Sequence, residues 1–552
     1  MYVSSIPPNS EFDFVVVGAG SAGCVLANRL TADGRFSVLL IEAGGPDNNI
    51  NIHIPVLVAN LLRDERFTWP FMTEPQLHLN GQPQLWVRGK VLGGSGSING
   101  GLFVRGDPLE YDAWRDQGCH GWGYSDLLPY FKQLEDYPGG DPAVRGRGGP
   151  IGITRLEKFD ELSQAFVEAA DAVGFRKVAD YNNGVNYVGA DYLQVQTRKG
   201  FRSSSSVGYL RPAKKRSNLT VLTRATVTRI LMENKRATGV EVSVNDRLMS
   251  VRARNEVILS AGPLQSPKLL ELSGIGSDPI LRNHGIPIVH HLPGVGENLR
   301  DHPSVRVTFE CAKPITINDI LNSPWKRIKE GLKFVFKREG LLTISSTTAR
   351  VVLRSQPDLK QPDITLRMQP RSGKDRYSRT RKYGSDDYSG FSIGVTVLQP
   401  RSIGHVHIAS LDPLKQAAMD PRYLSHEDDL RVFVEGVRFA RKIAEAAPLR
   451  ELVVKETRPG AETRDEEGIM AFVRNTAATS WHMVGTCRMG TDADAVVDPE
   501  LRVKGIAALR VIDSSIFPTI PSTNTNAPTL AAAEKGAAMV LAAQQSRERA
   551  SA

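Results

Sequence analysis

The chain has 552 residues, 69 Lys and Arg against 60 Asp and Glu, a formal net charge of +9 and 41% hydrophobic residues. At about 100–200 residues per domain, that length predicts two to four structural units, with a core large enough to need neither disulfides nor structural metal. A charged fraction of 23% with ample apolar residues excludes a largely disordered chain, and no collagen-like or heptad bias is present.

The cysteines, Cys24, Cys119, Cys311 and Cys487, are far apart and form no C-x-x-C pair. That spacing offers no zinc site, predicts no bound metal and points to a reducing cytoplasm. The N-terminal segment lacks the apolar stretch of a signal peptide, and no run approaches the roughly eighteen apolar residues of a membrane span. The expectation is a cytoplasmic protein, soluble or at most peripheral to the inner face of a membrane. Two basic clusters, residues 211–216 and 374–383, read as solvated loops, and no nucleic-acid module accompanies them.

Residues 12–17 are a short β-branched run that reads as a buried strand. Gly18-x-Gly20-x-x-Gly23 follows, then a helix over 24–30 and a second buried strand, 38–41, ended by Glu42 and Ala43. Strand, glycine turn, helix and strand make one βαβ unit. Gly18 permits the tight turn, Gly20 lets backbone approach a pyrophosphate together with Ser21 and Ala22, and Gly23 lets helix and strand pack closely. The helix N-terminus supplies N–H groups for phosphate, and Glu42 stands where an acid grips a ribose hydroxyl. A second glycine-rich stretch, Gly93, Gly94, Ser95, Gly96, Ser97, Ile98, Asn99, Gly100 and Gly101, is flanked by apolar residues including Val91. It suggests backbone packed on a long polar ligand, which favours a flavin dinucleotide over NAD.

Residues 219–231, with Val227 among the cofactor contacts, and 238–244 alternate like strands, and 257–260 form a buried strand ending at Ala261 and Gly262. Alternating runs over 303–360 and 364–408 predict an antiparallel sheet. Within the first run, Trp325, Ile328, Leu332 and Val335 share a helical face beside Lys326, Lys329, Lys333 and Lys337. That segment reads either as a helix covering a substrate mouth or as one lying on anionic lipid near a quinone pool. Residues 428–446 form an amphipathic helix. Residues 509–512 are a strand closed by Asp513 and Ser514. Asn524, Thr525 and Asn526 then open an Ala-rich helix, with Asn526 as its cap and Pro528 in the first turn. That helix end would favour the anion formed on reducing an isoalloxazine, and Asp513 is placed for ribityl hydroxyls. Strands ending at Gly18, Ala261 and Asp513 come from the start, middle and end of the chain. They predict one α/β sheet with a ligand at its carboxyl edge and another domain inserted between them.

These blocks resemble the glucose–methanol–choline (GMC) oxidoreductase family over nearly the whole length. The resemblance rests on the Gly18–Gly23 fingerprint, Gly89-Lys-Val-Leu-Gly-Gly-Ser-Gly-Ser-Ile-Asn-Gly-Gly101, Gly262-Pro-Leu-Gln-Ser-Pro-Lys-Leu-Leu-Glu-Leu-Ser-Gly-Ile-Gly276, Trp481-His-Met-Val-Gly-Thr-Cys-Arg-Met-Gly490, and Asp513-Ser-Ser-Ile-Phe-Pro with Asn524-Thr-Asn526. Bacterial alcohol and choline dehydrogenases are most similar, and hydroxymethylfurfural-type oxidases are similar around Trp481-His482. The resemblance implies an α/β, α+β overall, fold: a Rossmann-like FAD-binding domain with an inserted substrate domain of antiparallel sheet and helices. On that pattern residues 1–160, 216–305 and 476–552 form the FAD-binding domain, and 161–215 and 306–475 the substrate domain.

The resemblance also implies oxidation of a primary or secondary alcohol, with His482 as the active-site histidine, Asn524 as its partner and Asn526 as a competitor for that place. A neutral imidazole suits removal of the hydroxyl proton while the α-hydride moves to flavin N5, and Asn524 would hydrogen-bond the same oxygen. Trp481 is expected in the pocket wall. Ile98 stands where some relatives carry a FAD-linking histidine, so FAD is expected to bind non-covalently. Gly100 and Met483 depart from the choline-oxidising Ser and the common Pro, which leaves the substrate open. With Trp481 as an apolar wall, an apolar or aromatic alcohol fits better than choline, whose cation wants an aromatic cage or carboxylate. The electron acceptor is O2 or a quinone-like molecule. A flavin-containing lyase of the same fold, using His482 without net redox, is the alternative. Of the other histidines, His290 and His291 are adjacent and His302 sits in a loop-like Arg-Asp-His-Pro, none in a comparable constellation. No G-x-S-x-G elbow follows a strand, which disfavours a Ser-His-Asp hydrolase.

Overall fold

The computed structural model describes residues 2–7, 9–156, 160–344, 347–374, 377–380 and 384–551. Part of the basic cluster at 374–383 lies outside these residues. The first sheet contains β1 (Glu11–Val17), β2 (Val38–Glu42), β3 (Leu219–Thr223), β4 (Ala225–Glu233), β5 (Arg236–Val244) and β6 (Arg247–Leu259). They lie in the order β3-β2-β1-β6-β5-β4, with Tyr2–Val3 paired at the β3 edge. β3, β2 and β1 run parallel, and β6 pairs parallel with β1 but antiparallel with β5. Parallel strands are covered on both faces, which is why every residue of β2 is buried and β1 ends in four buried positions. Helix α1 (Ser21–Leu30) starts directly from the glycine turn.

The second sheet is antiparallel. Its strands are β7 (Pro303–Cys311), β8 (Ala349–Leu353), β9 (Ile364–Gln369), β10 (Gly390–Val397) and β11 (Val453–Arg458), in the order β11-β7-β10-β9-β8, with Gly189–Tyr192 outside β8 and Ala478–Thr479 on β7. Alternation sorts its two faces. Val305, Val307, Leu366, Met368, Ile393 and Val395 join an apolar cluster with α3 (Glu427–Ala444) and the helix Glu161–Ala172. Gly436 of α3 lies so close to β10 that an added Cβ would stand 2.3 Å from a Val395 methyl carbon. The opposite face carries Ser304, Arg306, Arg367, Gln369 and Thr396. The run 303–360 is thus not sheet throughout: between β7 and β8 lies α2 (Pro324–Lys337), started by the Ser323 side chain accepting the Lys326 N–H.

The chain returns to the first sheet at β12 (Leu509–Val511), parallel to β6, and finishes in α4 (Asn526–Ser551). α4 packs along α1, where the Arg29 guanidinium meets the buried Glu534 carboxylate through two 2.7 Å bonds. Among the described residues no helix is long and apolar enough to cross a membrane, and no group of His, Cys, Asp and Glu is arranged to hold a metal ion.

Candidate active site

A cavity of about 480 Å³ lies between the two sheets. The first sheet and its turns supply Gly18, Gly20, Ser21, Ala22, Glu42, Ala43, Val227, Ala261 and Gly262 to its wall. The glycine-serine loop adds Gly94, Ser95, Ile98, Asn99, Gly100 and Gly101, and the C-terminal segments add Trp481, His482, Asp513, Ser514, Asn524, Thr525 and Asn526.

Three residues expected at the cofactor stand behind this wall. A Cβ on Gly23 would lie 1.9 Å from the Gly18 carbonyl oxygen, so Gly23 serves the close packing of α1 on its turn. Val91 is buried with Ile52, Leu85 and Val87. Gly93, at φ +87°, donates its N–H to the Ala19 carbonyl at 2.7 Å and shapes the loop from outside. Asn526 is not the cap of α4 but its first helical residue, and the Thr525 carbonyl accepts the Thr529 N–H. The Asn526 side chain is held across the molecule: Ser21 Oγ donates to its Oδ1 at 2.7 Å, and its Nδ2 donates to Gln196 Oε1 at 3.0 Å.

The two carboxylates in the wall, Glu42 and Asp513, brace the backbone. Glu42 accepts N–H bonds from Ala19 at 2.9 Å and Gly44 at 2.8 Å, and burial pushes its pKa up to about 7. Asp513 accepts from Gly262 N–H, Ser266 Oγ and Ser515 N–H. The residues fit a dinucleotide. α1 has no side-chain cap, so its N-terminal donors are left for an anion. The Gly20 and Gly94 backbones meet so closely that a Cβ on Gly94 would be 2.7 Å from Gly20 Cα, leaving a bare backbone cradle.

At the other end, Trp481 holds φ +60°, a conformation costing a bulky residue about 1–3 kcal/mol. It is locked there by three bonds: its carbonyl accepts from Arg88 Nη1 at 3.0 Å, its N–H donates to Thr479 Oγ1 at 2.8 Å, and its indole donates to the Leu85 carbonyl at 3.1 Å. The buried Asp301 carboxylate accepts the His482 N–H at 2.7 Å, the His302 N–H at 2.9 Å and the Tyr423 and Thr479 hydroxyls.

The ring of His482 lies between His302, Nδ1 to Nδ1 at 2.9 Å, and Asn524, whose Nδ2 is 2.9 Å from His482 Nε2. These contacts fix the protons. His302 Nε2 is 3.0 Å from the Leu398 carbonyl, which only accepts, so that nitrogen carries the hydrogen. Burial holds His302 neutral, with its pKa pulled down to about 3. Its Nδ1 is therefore an acceptor, His482 Nδ1 must donate to it, and His482 Nε2 keeps its lone pair. Arg367 Nη2 lies 3.5 Å from Asn524 Oδ1, which orients the amide with its Nδ2 toward that lone pair. Burial first, and then the neighbouring His302, Arg367 and Arg88, hold the His482 pKa well below the usual imidazole value. The arrangement is a neutral imidazole whose Nε2 lone pair accepts from the Asn524 amide; a ligand hydroxyl that takes over that amide hydrogen bond brings its own proton to the same lone pair.

His302 and Asp301 were not singled out by spacing, yet they organise the histidine 180 residues away. The signal was present in Arg300-Asp301-His302-Pro303, a run of ionisable residues entering a buried strand.

The profile of GMC oxidoreductases matches residues 12–304 and, in its C-terminal part, 400–533. The chain is 40% identical over 537 residues to the oxygen-dependent choline dehydrogenase of Photobacterium profundum, covering 97% of this chain and 93% of that protein. It is 40% identical over 535 residues to the enzyme of the same name from Vibrio vulnificus, covering 96% and 94%. Among solved structures, pyridoxine 4-oxidase from Mesorbium loti aligns with TM-score 0.86 and 29% identity, over 95% of this chain and 98% of that one. A formate oxidase from Aspergillus oryzae RIB40 aligns with TM-score 0.90 and 26% identity, over 98% and 100%. The chain belongs to the GMC oxidoreductase family of FAD-dependent alcohol oxidoreductases, and its mixed α/β fold is the family's.

Proposed function

We propose that the protein binds FAD non-covalently in this cavity and oxidises a primary or secondary alcohol to the aldehyde or ketone, with His482 as the base. The observation that carries the reading is the seating of the His482 ring between His302 Nδ1 and Asn524 Nδ2, from which the proton order follows: an acceptor behind Nδ1 and a lone pair on Nε2 facing Asn524. FAD, when bound, supplies the acceptor for the substrate's two electrons. Nε2 takes the hydroxyl proton, and Asn524 Nδ2 hydrogen-bonds the same oxygen and holds the carbinol in place. Ile98 in the cavity wall presents only carbon, so no side-chain atom there bonds the cofactor. The Gly18–Ala22 turn, Glu42, Ala43, Val227, the Gly94–Gly101 loop, Ala261, Gly262, Asp513, Ser514, Thr525 and Asn526 form the cofactor cradle, and Trp481 forms a substrate wall. Residues 1–160, 216–305 and 476–552 make the FAD-binding unit, and 161–215 and 306–475 the substrate unit. A flavin lyase is disfavoured because the relatives are named dehydrogenases and oxidases.

Replacing His482 by Ala should lower the rate of anaerobic flavin reduction about 10²–10⁴-fold while FAD stays bound. A variant that reduces its flavin at the wild-type rate refutes the role. The electrons pass on to O2 or a quinone-like acceptor, and admitting air to the reduced protein distinguishes the two.

The proposal extends to the outer surface. None of the residues of α2 lines the cavity, which disfavours a lid over the substrate mouth. Trp325 is 80% exposed and Phe336 79%, with Ile328, Leu332 and Val335 half exposed on the same face. Only Phe334 turns inward, its ring 5.3 Å from that of Phe201. Lys326, Lys329, Lys333 and Lys337 flank the apolar stripe, a pattern complementary to an anionic bilayer surface.

A further inference from the structure

The face of the second sheet that looks into the cavity is cationic. Arg306 of β7 and Arg367 of β9 are both cross-strand partners of Gly394 on β10, so they occupy one row with a gap where Gly394 has no side chain. A Cβ at Gly394 would meet nothing closer than 3.7 Å, which leaves that gap open. Arg306, Arg367, Arg371 and Arg88 line the cavity together with Lys268. Against them stand only Glu42 and Asp513 among the described lining residues, and both carboxylates belong to the first sheet, where backbone N–H groups hold them.

Arg367 is the telling member. Its single hydrogen bond among the described residues is the long 3.5 Å contact from Nη2 to Asn524 Oδ1, and no carboxylate among those residues pairs with it. Burial draws its pKa down only to about 10, so it is charged at neutral pH. A guanidinium carries five donors in a planar fork and is costly to enclose without an anion. In this wall the fork is adjacent to the amide that also touches His482 Nε2.

We propose that Arg367 is a specificity residue and that the substrate is an alcohol bearing a carboxylate, whose two oxygens receive the guanidinium fork while the hydroxyl lies at His482 and Asn524. This inference rests on the alcohol-oxidation reading. It deepens that reading by assigning the substrate's charge. The planar carboxylate matches the fork in two parallel bonds. A quaternary ammonium meets the opposite condition: positive charge on the substrate side and no carboxylate there among the described lining residues. The chain's likeness to choline dehydrogenases therefore extends to its fold and its reaction, and not to its substrate.

The test uses the FAD-loaded protein and matched pairs: 4-hydroxybutanoate against n-butanol, 4-(hydroxymethyl)benzoate against benzyl alcohol, and choline as the cation. Anaerobic stopped-flow should give a ratio of flavin-reduction rate to dissociation constant at least tenfold higher for the carboxylate in at least one pair, with choline at least a hundredfold below it. Arg367→Gln should shrink the carboxylate-to-neutral ratio at least tenfold, and Arg367→Lys should restore part of it. Calorimetric titration with unreactive benzoate provides a readout free of turnover: binding to the wild type, at least tenfold weaker in Arg367→Gln. No preference in either pair, an unchanged ratio in Arg367→Gln, or choline as the best reductant overturns the proposal. If no alcohol bleaches the flavin yet benzoate binds through Arg367, the anion site stands and the alcohol-oxidation reading falls. If neutral alcohols bleach it and carboxylates gain nothing, the reverse holds. Should Arg367→Gln fail to fold, the wild-type pairs and the benzoate titration decide alone.

Discussion

On the proposed reading, a second imidazole takes over one part of a triad carboxylate's role at His482: it accepts the inner N–H and so leaves the lone pair on the outer nitrogen. A lowered folded-state pKa keeps His482 in its base form, so protonation silences it only as pH falls well under 6.5. The rate of anaerobic flavin reduction should therefore stay flat as pH is lowered through 6.5. An inflection at or above that value contradicts the assignment. His302→Phe removes the acceptor of the Nδ1 proton. Its expected effect is a loss of about 10–100-fold in reduction rate, typical of an orienting partner, with the acid limb moved to still lower pH, because the imidazolium loses the acceptor that favours its protonated form. A merely structural role would slow the enzyme without moving that limb. His482 was legible in the sequence because it lies in a compact motif, as Asn524 does. His302 was not, because proton order depends on which carbonyl the far nitrogen meets, here Leu398, 96 residues downstream.

Among the elements, those buried on both sides were the most legible. β1 and β2 read as strands because an apolar run that short, followed by glycine or an acid, has few other ways to bury itself. The second sheet was legible only in outline. Its alternation sets strand against loop, but 303–360 also contains α2, whose lysines and aromatics interrupt the period of two. The start of α4 shows the limit of cap rules: Asn526 is a good cap by type, yet Ser21 and Gln196 claim its amide, and the helix begins one residue earlier in consequence. One coupling between elements has a measurable pH signature. His407, on the strand His405–His407, bridges Glu271 of the helix Gln265–Leu272 at 2.7 Å and Glu297 at 3.0 Å. Burial opposes its charge, but the two carboxylates prevail and raise its pKa to about 9. The bridge's contribution to stability is thus complete below pH 6.5, declines above it and is lost as pH passes 9. The melting temperature should fall between about pH 7 and 9.5, and His407→Gln should flatten that part of the profile. Parallel profiles for the two proteins would show that the bridge contributes nothing.

At the scale of the whole molecule, the outward face of α2 predicts behaviour that no single site explains. The protein should sediment with vesicles containing phosphatidylserine, less so as salt rises, and not with neutral phosphatidylcholine. Trp325→Ser combined with Phe336→Ser should leave it in the supernatant with FAD bound. Equal partition of both proteins would remove the bilayer from the account. The topology carries a different consequence. The first sheet draws β1 and β2 from the opening residues and β12 from beyond residue 508, and α1 leans on α4 through Arg29 and Glu534 across 505 positions. On a ribosome, the glycine turn emerges hundreds of residues before the segments that close over it. A nascent chain halted before Leu509 has β1 to β6 and α1 but neither β12, α4 nor Asn524, so coenzyme loading has to wait for those segments, and the part of β6 left unpaired until then is what a chaperone would have to shield.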